Sequence, residues 1–293
     1  MKPAPTQLGR ASHVLVLSLT SVSAKPWDRH GPSKSREVTF DAIVTTVMKG
    51  DVEEKATATI TVTQHAPATS RIFAVPGAWS PVSLTAGEAL LVVSNAPSSD
   101  LASVLAETSV ARVLPAATAH DEAVLALDIE ARQLDLAATC DALRTAPQVA
   151  TAGPLLTQYI GERLHAFEAR DAAGAPPLQA CLRWLETPTL GATLRAHAIQ
   201  VLIGRLLLIE ASAPLRALVA LTGLRLLRRD PRTPLAAHLA QTLLPNLLGL
   251  TGAATPVSPD QVFASAPDER RATTDVLRDA SQPSFAALRA WIE

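Results

Sequence analysis

The chain has 293 residues, 48% of them apolar, and a formal net charge of -1. That length fits one large domain or two ordinary ones, with apolar residues enough for a sizeable core. A near-neutral chain carries no global field to draw in nucleic acid or an anionic membrane. No uninterrupted apolar run approaches the ~18 residues of a membrane span, the nearest being "VLIGRLLLI" (201–209), which contains Arg205.

The first segment, "ASHVLVLSLTSVSA" (11–24), supports two readings. A basic start, a short apolar run and Val22-Ser23-Ala24 resemble a secretory signal with its cleavage site. The same residues alternate as a strand: Val14, Val16 and Ser18 on one face, Leu15, Leu17, Leu19 and Ser21 on the other. Ser18, Thr20 and Ser21 break the apolar run that a signal needs, so the strand is the preferred reading. Both faces are largely apolar, which suits a strand covered on both sides. A cytoplasmic location goes with this reading. A secreted or periplasmic one follows if 1–24 is a signal or if an upstream signal has been removed.

"AKPWDRHGPSKS" (24–35) is polar and broken by Pro26, Gly31 and Pro32, which predicts a loop. Alternation returns in "REVTFDAIVTTVMKG" (36–50), in "KATATITVTQ" (55–64) and in "EALLVVSN" (88–95). Short strands separated by turn signals predict a small β-barrel or sandwich. The order of these pieces resembles the netrin-like module, the OB-type barrel shared with tissue inhibitors of metalloproteinases. In that family a valine-rich strand ends in V-x-K-G, and a later L-x-x-G-E-x-x-L enters the final barrel strand. The matching residues are Val47-Met48-Lys49-Gly50 and Leu84-Thr85-Ala86-Gly87-Glu88-Ala89-Leu90-Leu91. The resemblance covers about residues 11–95 and implies an OB-type barrel. The inhibitors reach the protease zinc with an amino-terminal cysteine; residues 1–100 contain none, so the resemblance extends to the fold and not to that mechanism.

The composition then changes. All five lysines lie within the first 55 residues, and Val and Thr give way to Ala and Leu after about residue 96. Val and Thr favour strands, Ala and Leu favour helices. The expected layout is α+β: an OB-like β-barrel domain over 1–100, a linker over 101–120, an α-helical domain over 121–252 and a loose tail over 253–293 with a last helix around 284–292. Helices are expected at 120–146, 154–169, 177–187, 190–210, 213–229 and 234–249. Pro245 should kink the last of these. Segment 190–210 is apolar nearly all round, which predicts a central, covered helix. The spacing of the helix pairs resembles HEAT-type repeats; a compact bundle fits as well.

Signatures of nucleotide cradles, nucleophile elbows and zinc sites are missing from the sequence, so no cofactor and no metal are expected. Glu162 and His165 share a helical face with Glu168 nearby, a fragment too incomplete for a metal site. His197 and His238 read as packing histidines, and Cys140 and Cys181 as buried thiols, with a single bridge open to them in an oxidising compartment. An enzyme with an unrecognised site would have to use residues such as Cys181 or His165. Two groups invite a binding role. The loop residues Trp27, Arg29 and His30, with Lys25, Lys34 and Arg36, combine an aromatic with positive charge, as single-stranded nucleic-acid sites do; a solvated loop with Trp27 folded onto the barrel is the plainer account. Trp79 reads as a barrel plug or a second binding aromatic. Arg225, Arg228, Arg229 and Arg232 form a basic cluster at a helix end, suited to the helix dipole or to an acidic partner. The function expected is a non-catalytic protein-binding or adaptor protein, with nucleic acid as the alternative partner.

Overall fold

After a short helix α1 (Gln7–Arg10), residues His13–Ala24 form strand β1, which hydrogen-bonds on one side to β2 (Ser35–Lys49) and on the other to β4 (Ala89–Ser94). The segment with two readings is therefore an interior strand, and cutting the chain after Ala24 would remove the middle of the sheet. The computed structural model describes residues 6–28, 34–65, 79, 82–166, 176–252, 254–279 and 285–293. With β3 (Thr57–His65) and β5 (Val110–Pro115) the strands form one antiparallel sheet in the order β3-β2-β1-β4-β5. The β1–β2 register shifts three times, at Val14/Leu15, Val16/Leu17 and Leu19/Ser21. Such irregularities increase local twist, and the sheet curls into a half-barrel.

The concave face carries the core: Leu15, Leu17 and Leu19 of β1, Val38 and Phe40 of β2, Ile60 and Val62 of β3, Leu90 and Val92 of β4. On the opposite face Val14 pairs with Val93 and Val16 with Leu91, all four buried. Helix α3 (Ala116–Ala131) packs on β4 and β5 and buries Ala119, Ala123 and Ala126. The first half of β1 is thus covered on both sides, while Thr20, Ser21 and Ser23 are exposed.

Residues 101–120, expected as a linker, are ordered elements instead. Asp100 caps α2 (Leu101–Leu105) by accepting from Ser103 N, and β5 follows. Pro115 is tolerated because β5 lies at the end of the strand order. The single helix expected over 120–146 is two, α3 and α4 (Leu136–Thr145), parted by Gln133 at φ 51° and by Asp135, which caps α4 through Ala138 N.

The chain divides into two compact units, Pro5–Ala131 with Gly153–Leu156, and Arg132–Ala152 with Thr157–Glu293. The fold class is α+β. Beyond α4 come α5 (Pro154–His165), α6 (Pro176–Leu185), α7 (Ala192–Leu208) and α8 (Ala213–Arg229). Next are α9 (Pro234–His238) and α10 (Leu244–Leu248), joined by one π-helical turn over Leu239–Leu243. The kink expected at Pro245 takes this form: proline lacks the N–H and crowds the carbonyl four residues back, and a widened turn relieves both. The expected covered helix is α8 rather than α7. Helix α8 packs against α6, α7, α9 and α10, whereas Leu208 at the end of α7 is 72% exposed.

The tail, expected to be loose over 253–293 apart from a last helix around 284–292, holds α11 (Pro259–Phe263) and α12 (Pro267–Asp279) as well as that last helix, α13 (Ala286–Ile292). Ser258 and Gln261 form a reciprocal capping box at α11. Phe285 and Leu288 are fully buried, and Trp291 Nε1 donates to Val257 O over 2.8 Å.

Three buried arginines fasten the helical unit. Arg163 donates to Leu134 O and Thr139 Oγ1, Arg195 to Thr187 O and Leu190 O, and Arg216 to Ala211 O, Leu247 O and Thr255 O. Carbonyls at helix ends and in connections lack intrahelical partners. A planar guanidinium with five donors satisfies several at once, which a lysine ammonium does poorly.

Candidate functional site

The surface of the β unit that displays polar and aromatic groups is built by β1, β2 and β3. Strand alternation places Glu37, Thr39 and Asp41 on the convex face, and the register sets Ser23, Thr39 and Thr61 in one row and Ser21, Asp41 and Thr59 in the next. Asp41 accepts from Ser21 Oγ and, over 2.6 Å, from Thr59 Oγ1. These hydroxyl donors, Ser21 first and Thr59 second, hold its carboxyl below the usual range although it is exposed. Thr39 and Thr61 hydroxyls pair at 2.9 Å. Thr20, Asp41, Ile43, Thr57 and Thr59 line a shallow open groove here. Lys25 is ion-paired with Glu37 at the edge of the same face.

The concave side ends differently. Arg36, Val38 and Phe40 alternate on one face of β2, and Ile60, Val62 and Gln64 on one face of β3, so Arg36 and Gln64 stand at one end of the core. Arg36 donates to Gln64 Oε1 from Nε at 3.2 Å and Nη2 at 2.9 Å. The amide of Gln64, 4% exposed, donates in turn to Trp79 O at 3.2 Å and Val82 O at 3.0 Å. The Arg36 guanidinium carbon lies 4.5 Å from the centroid of the Trp27 ring, within cation–π range. Trp27 itself is 37% exposed. An exposed indole is therefore held in place through Arg36 by a buried amide. Asp28 bridges Ser35 across the same hairpin.

Each expected site residue has a definite place. Arg29 and His30 lie outside the described residues. Trp27 lies against Arg36 of β2, with 37% of its surface exposed. Trp79 is fully buried, its ring 5.0 Å from that of Phe40; this corrects its candidacy as a binding aromatic, since no ligand can reach a ring enclosed by the core. Gln64 escaped the sequence reading, although a polar residue at the end of the apolar series Ile60, Val62 is a visible signal.

The arginine cluster is engaged from within. Arg225 donates to Glu269 from Nε at 2.8 Å and Nη2 at 2.7 Å, and from Nη1 to Glu186 Oε1 at 3.0 Å. Arg228 Nη1 lies 3.6 Å from Glu269 Oε2, and Arg229 donates to Pro188 O at 3.1 Å. Arg232 is exposed. The dock for an acidic partner read from these four residues is thus filled in large part by two carboxylates of the same chain. Hydrogen bonding from Arg225 holds Glu269 below its ordinary value of 4.5, against an opposing effect of burial. A carboxyl depressed by folding contributes stability that is present above about pH 4.5 and is lost as pH falls through the lower folded value. Glu269→Gln is therefore expected to flatten the acid limb of a stability-against-pH curve below that point. Urea titrations at stepped pH check this; an unchanged limb would remove Glu269 from the acid response.

Among the described residues, no group of three or more His, Cys, Asp or Glu side chains is placed to hold a metal ion. Glu162 accepts from Gln158 Nε2 at 2.6 Å, and His165 is exposed at the end of α5. Cys181 is buried beside Cys140. Among the same residues, no helix is long and apolar enough to cross a membrane. Neither the protein-family models, nor the curated proteins, nor the solved structures contain a match to this chain.

Proposed function

We propose that the protein is a non-catalytic binding or adaptor protein, and that its partner is another protein, received at the Trp27–Arg36 end of the β unit. In this reading the β unit is an OB-type barrel of netrin-like kind, and the helices form a HEAT-like repeat or a bundle with a surface of its own. A five-stranded, partly open antiparallel sheet supports the first part, because OB barrels are built that way and bind through the loop after their first strand.

The observation that carries the proposal is the anchoring of Trp27. An exposed indole fixed before contact loses little freedom on binding, and tryptophan and arginine are over-represented among the residues that dominate interface energies. Arg36 is hydrogen-bonded to a neutral amide rather than to a carboxylate, unlike Arg225. A partner with an acidic surface therefore suits this end of the molecule better than it suits the arginine cluster.

The stacked Arg36–Trp27 pair also favours a second reading, single-stranded nucleic acid, since such sites join aromatic stacking to cationic side chains. They stack successive bases on several aromatics, however, and Trp27 is the one exposed aromatic among the described residues. Quantitative affinity capture with the intact chain and with Trp27→Ala combined with Arg36→Gln separates the cases. The proposal expects one or more proteins enriched on the parent chain and lost on the variant. Identical protein sets would contradict it. Salt-sensitive binding of a labelled single-stranded oligonucleotide, abolished in the variant, would replace it with the second reading.

A further inference from the structure

Cys140 lies in α4 and Cys181 in α6, and these two helices pack directly on each other. The thiols are 2% and 0% exposed, and their Sγ atoms are 3.3 Å apart although 41 positions separate them in the chain. Both are unbridged in this structure. A disulfide needs the sulfurs only about 1.3 Å closer. Among the described residues no third metal ligand joins the pair, so these residues do not make up a zinc site, which takes four ligands, or three and a water.

We propose that Cys140 and Cys181 are a redox pair, which closes to an intramolecular disulfide joining α4 to α6 under oxidising conditions and stays a dithiol under reducing ones. The oxidant is a small-molecule disulfide such as oxidised glutathione. One cysteine thiolate attacks a sulfur of that reagent and expels one reagent thiolate, leaving a mixed disulfide. The second cysteine thiolate attacks the protein sulfur of the mixed disulfide and expels the other reagent thiolate. Two protein thiols are oxidised to one S–S bond, the reagent is reduced to two thiols, and the two protons released by the cysteines pass to them.

The timing follows from the environment. Hydrogen bonding to Cys181, then burial, holds the Cys140 thiol well above its ordinary range. A buried neutral thiol is a poor attacker, so exchange is slow in the folded chain and fast while the chain folds. The redox conditions at the time of folding therefore select the state, and the buried bond then resists reduction.

The test refolds the full chain from denaturant in glutathione buffers of graded redox ratio, traps free thiols with an alkylating agent and weighs the product. The expected result is a monomer two hydrogens lighter, carrying no alkyl groups, whose fraction rises with the oxidised share of the buffer. Its melting midpoint should stand roughly 5–10 °C above that of the dithiol form, because the bridge restricts the unfolded chain. Cys140→Ala and Cys181→Ala should each abolish both the mass loss and the rise, while melting near the dithiol form. Two alkylated thiols in the most oxidising buffer, glutathione adducts alone, or a bridged chain without native circular dichroism would each overturn the proposal.

Discussion

Trp79→Ala is expected to lower the stability of the β unit by about 3–5 kcal/mol, the usual cost of truncating an enclosed aromatic to alanine. The ring is fully buried and tilted 49° against Phe40, and its carbonyl receives the Gln64 amide that anchors Arg36. The indole Nε1 has no hydrogen-bond partner among the described residues, so the ring contributes by volume and contact rather than by its polar atom. Trp79→Phe should therefore recover most of the loss, because removing an unpaired buried donor forfeits no bond. Equilibrium urea unfolding checks both variants. Alanine and phenylalanine equal in cost would show that the N–H group, not packing, is what the site needs.

The second large effect is expected in the helical unit. Arg216→Met keeps most of the stem but strips the Ala211, Leu247 and Thr255 carbonyls of their donors. Arg216 is 4% exposed, so water replaces those bonds poorly. A loss of about 3 kcal/mol is expected, on the basis that a buried acceptor left unpaired costs about 1–3 kcal/mol and that relaxation recovers some of it for three. Arg216→Lys should rescue little, since one ammonium cannot span three diverging carbonyls. The same urea experiment reads this. A lysine variant as stable as the parent would mean that the positive charge matters and the fork does not.

Much of the β unit was legible because its signal is periodic. The alternation of Val38, Phe40 and Ala42 against Thr39 and Asp41 can satisfy only one pleat, and a slip of one residue would turn the apolar set to solvent. The start of β1 was legible for a related reason: both of its faces are apolar, and both are covered. Helices α5, α6, α8 and α9 were legible from the prolines that open them: Pro154, Pro177, Pro214 and Pro234 are each the first or second residue of an element, a position where proline forfeits no hydrogen bond.

What the sequence concealed is held by polar contacts. Helix α12 buries Leu277 and Thr273, too narrow a stripe to register as periodic. Glu269 ties it to Arg225 and Arg228, 44 and 41 positions earlier in the chain. A pairing over that distance leaves no trace in local pattern, which is why the tail read as loose and the arginine cluster as an outward dock. Helix α2 and β5 were hidden in the same way, by a short capped turn and a strand that pairs only with β4. Gln64 was visible as an exception to alternation. That it supports Trp27 through Arg36 is a matter of three chain segments meeting, which spacing alone does not state.

In the proposed function Trp27 is the contact surface and the arginine cluster is internal structure. Hydroxyl-radical footprinting of the intact chain, with and without a captured partner protein, tests that most directly. Oxidation of Trp27 is expected to fall severalfold on partner addition, with Trp291 and the peptides spanning Arg225–Arg232 unchanged. Undiminished oxidation at Trp27 with protection confined to the arginine helix would contradict it.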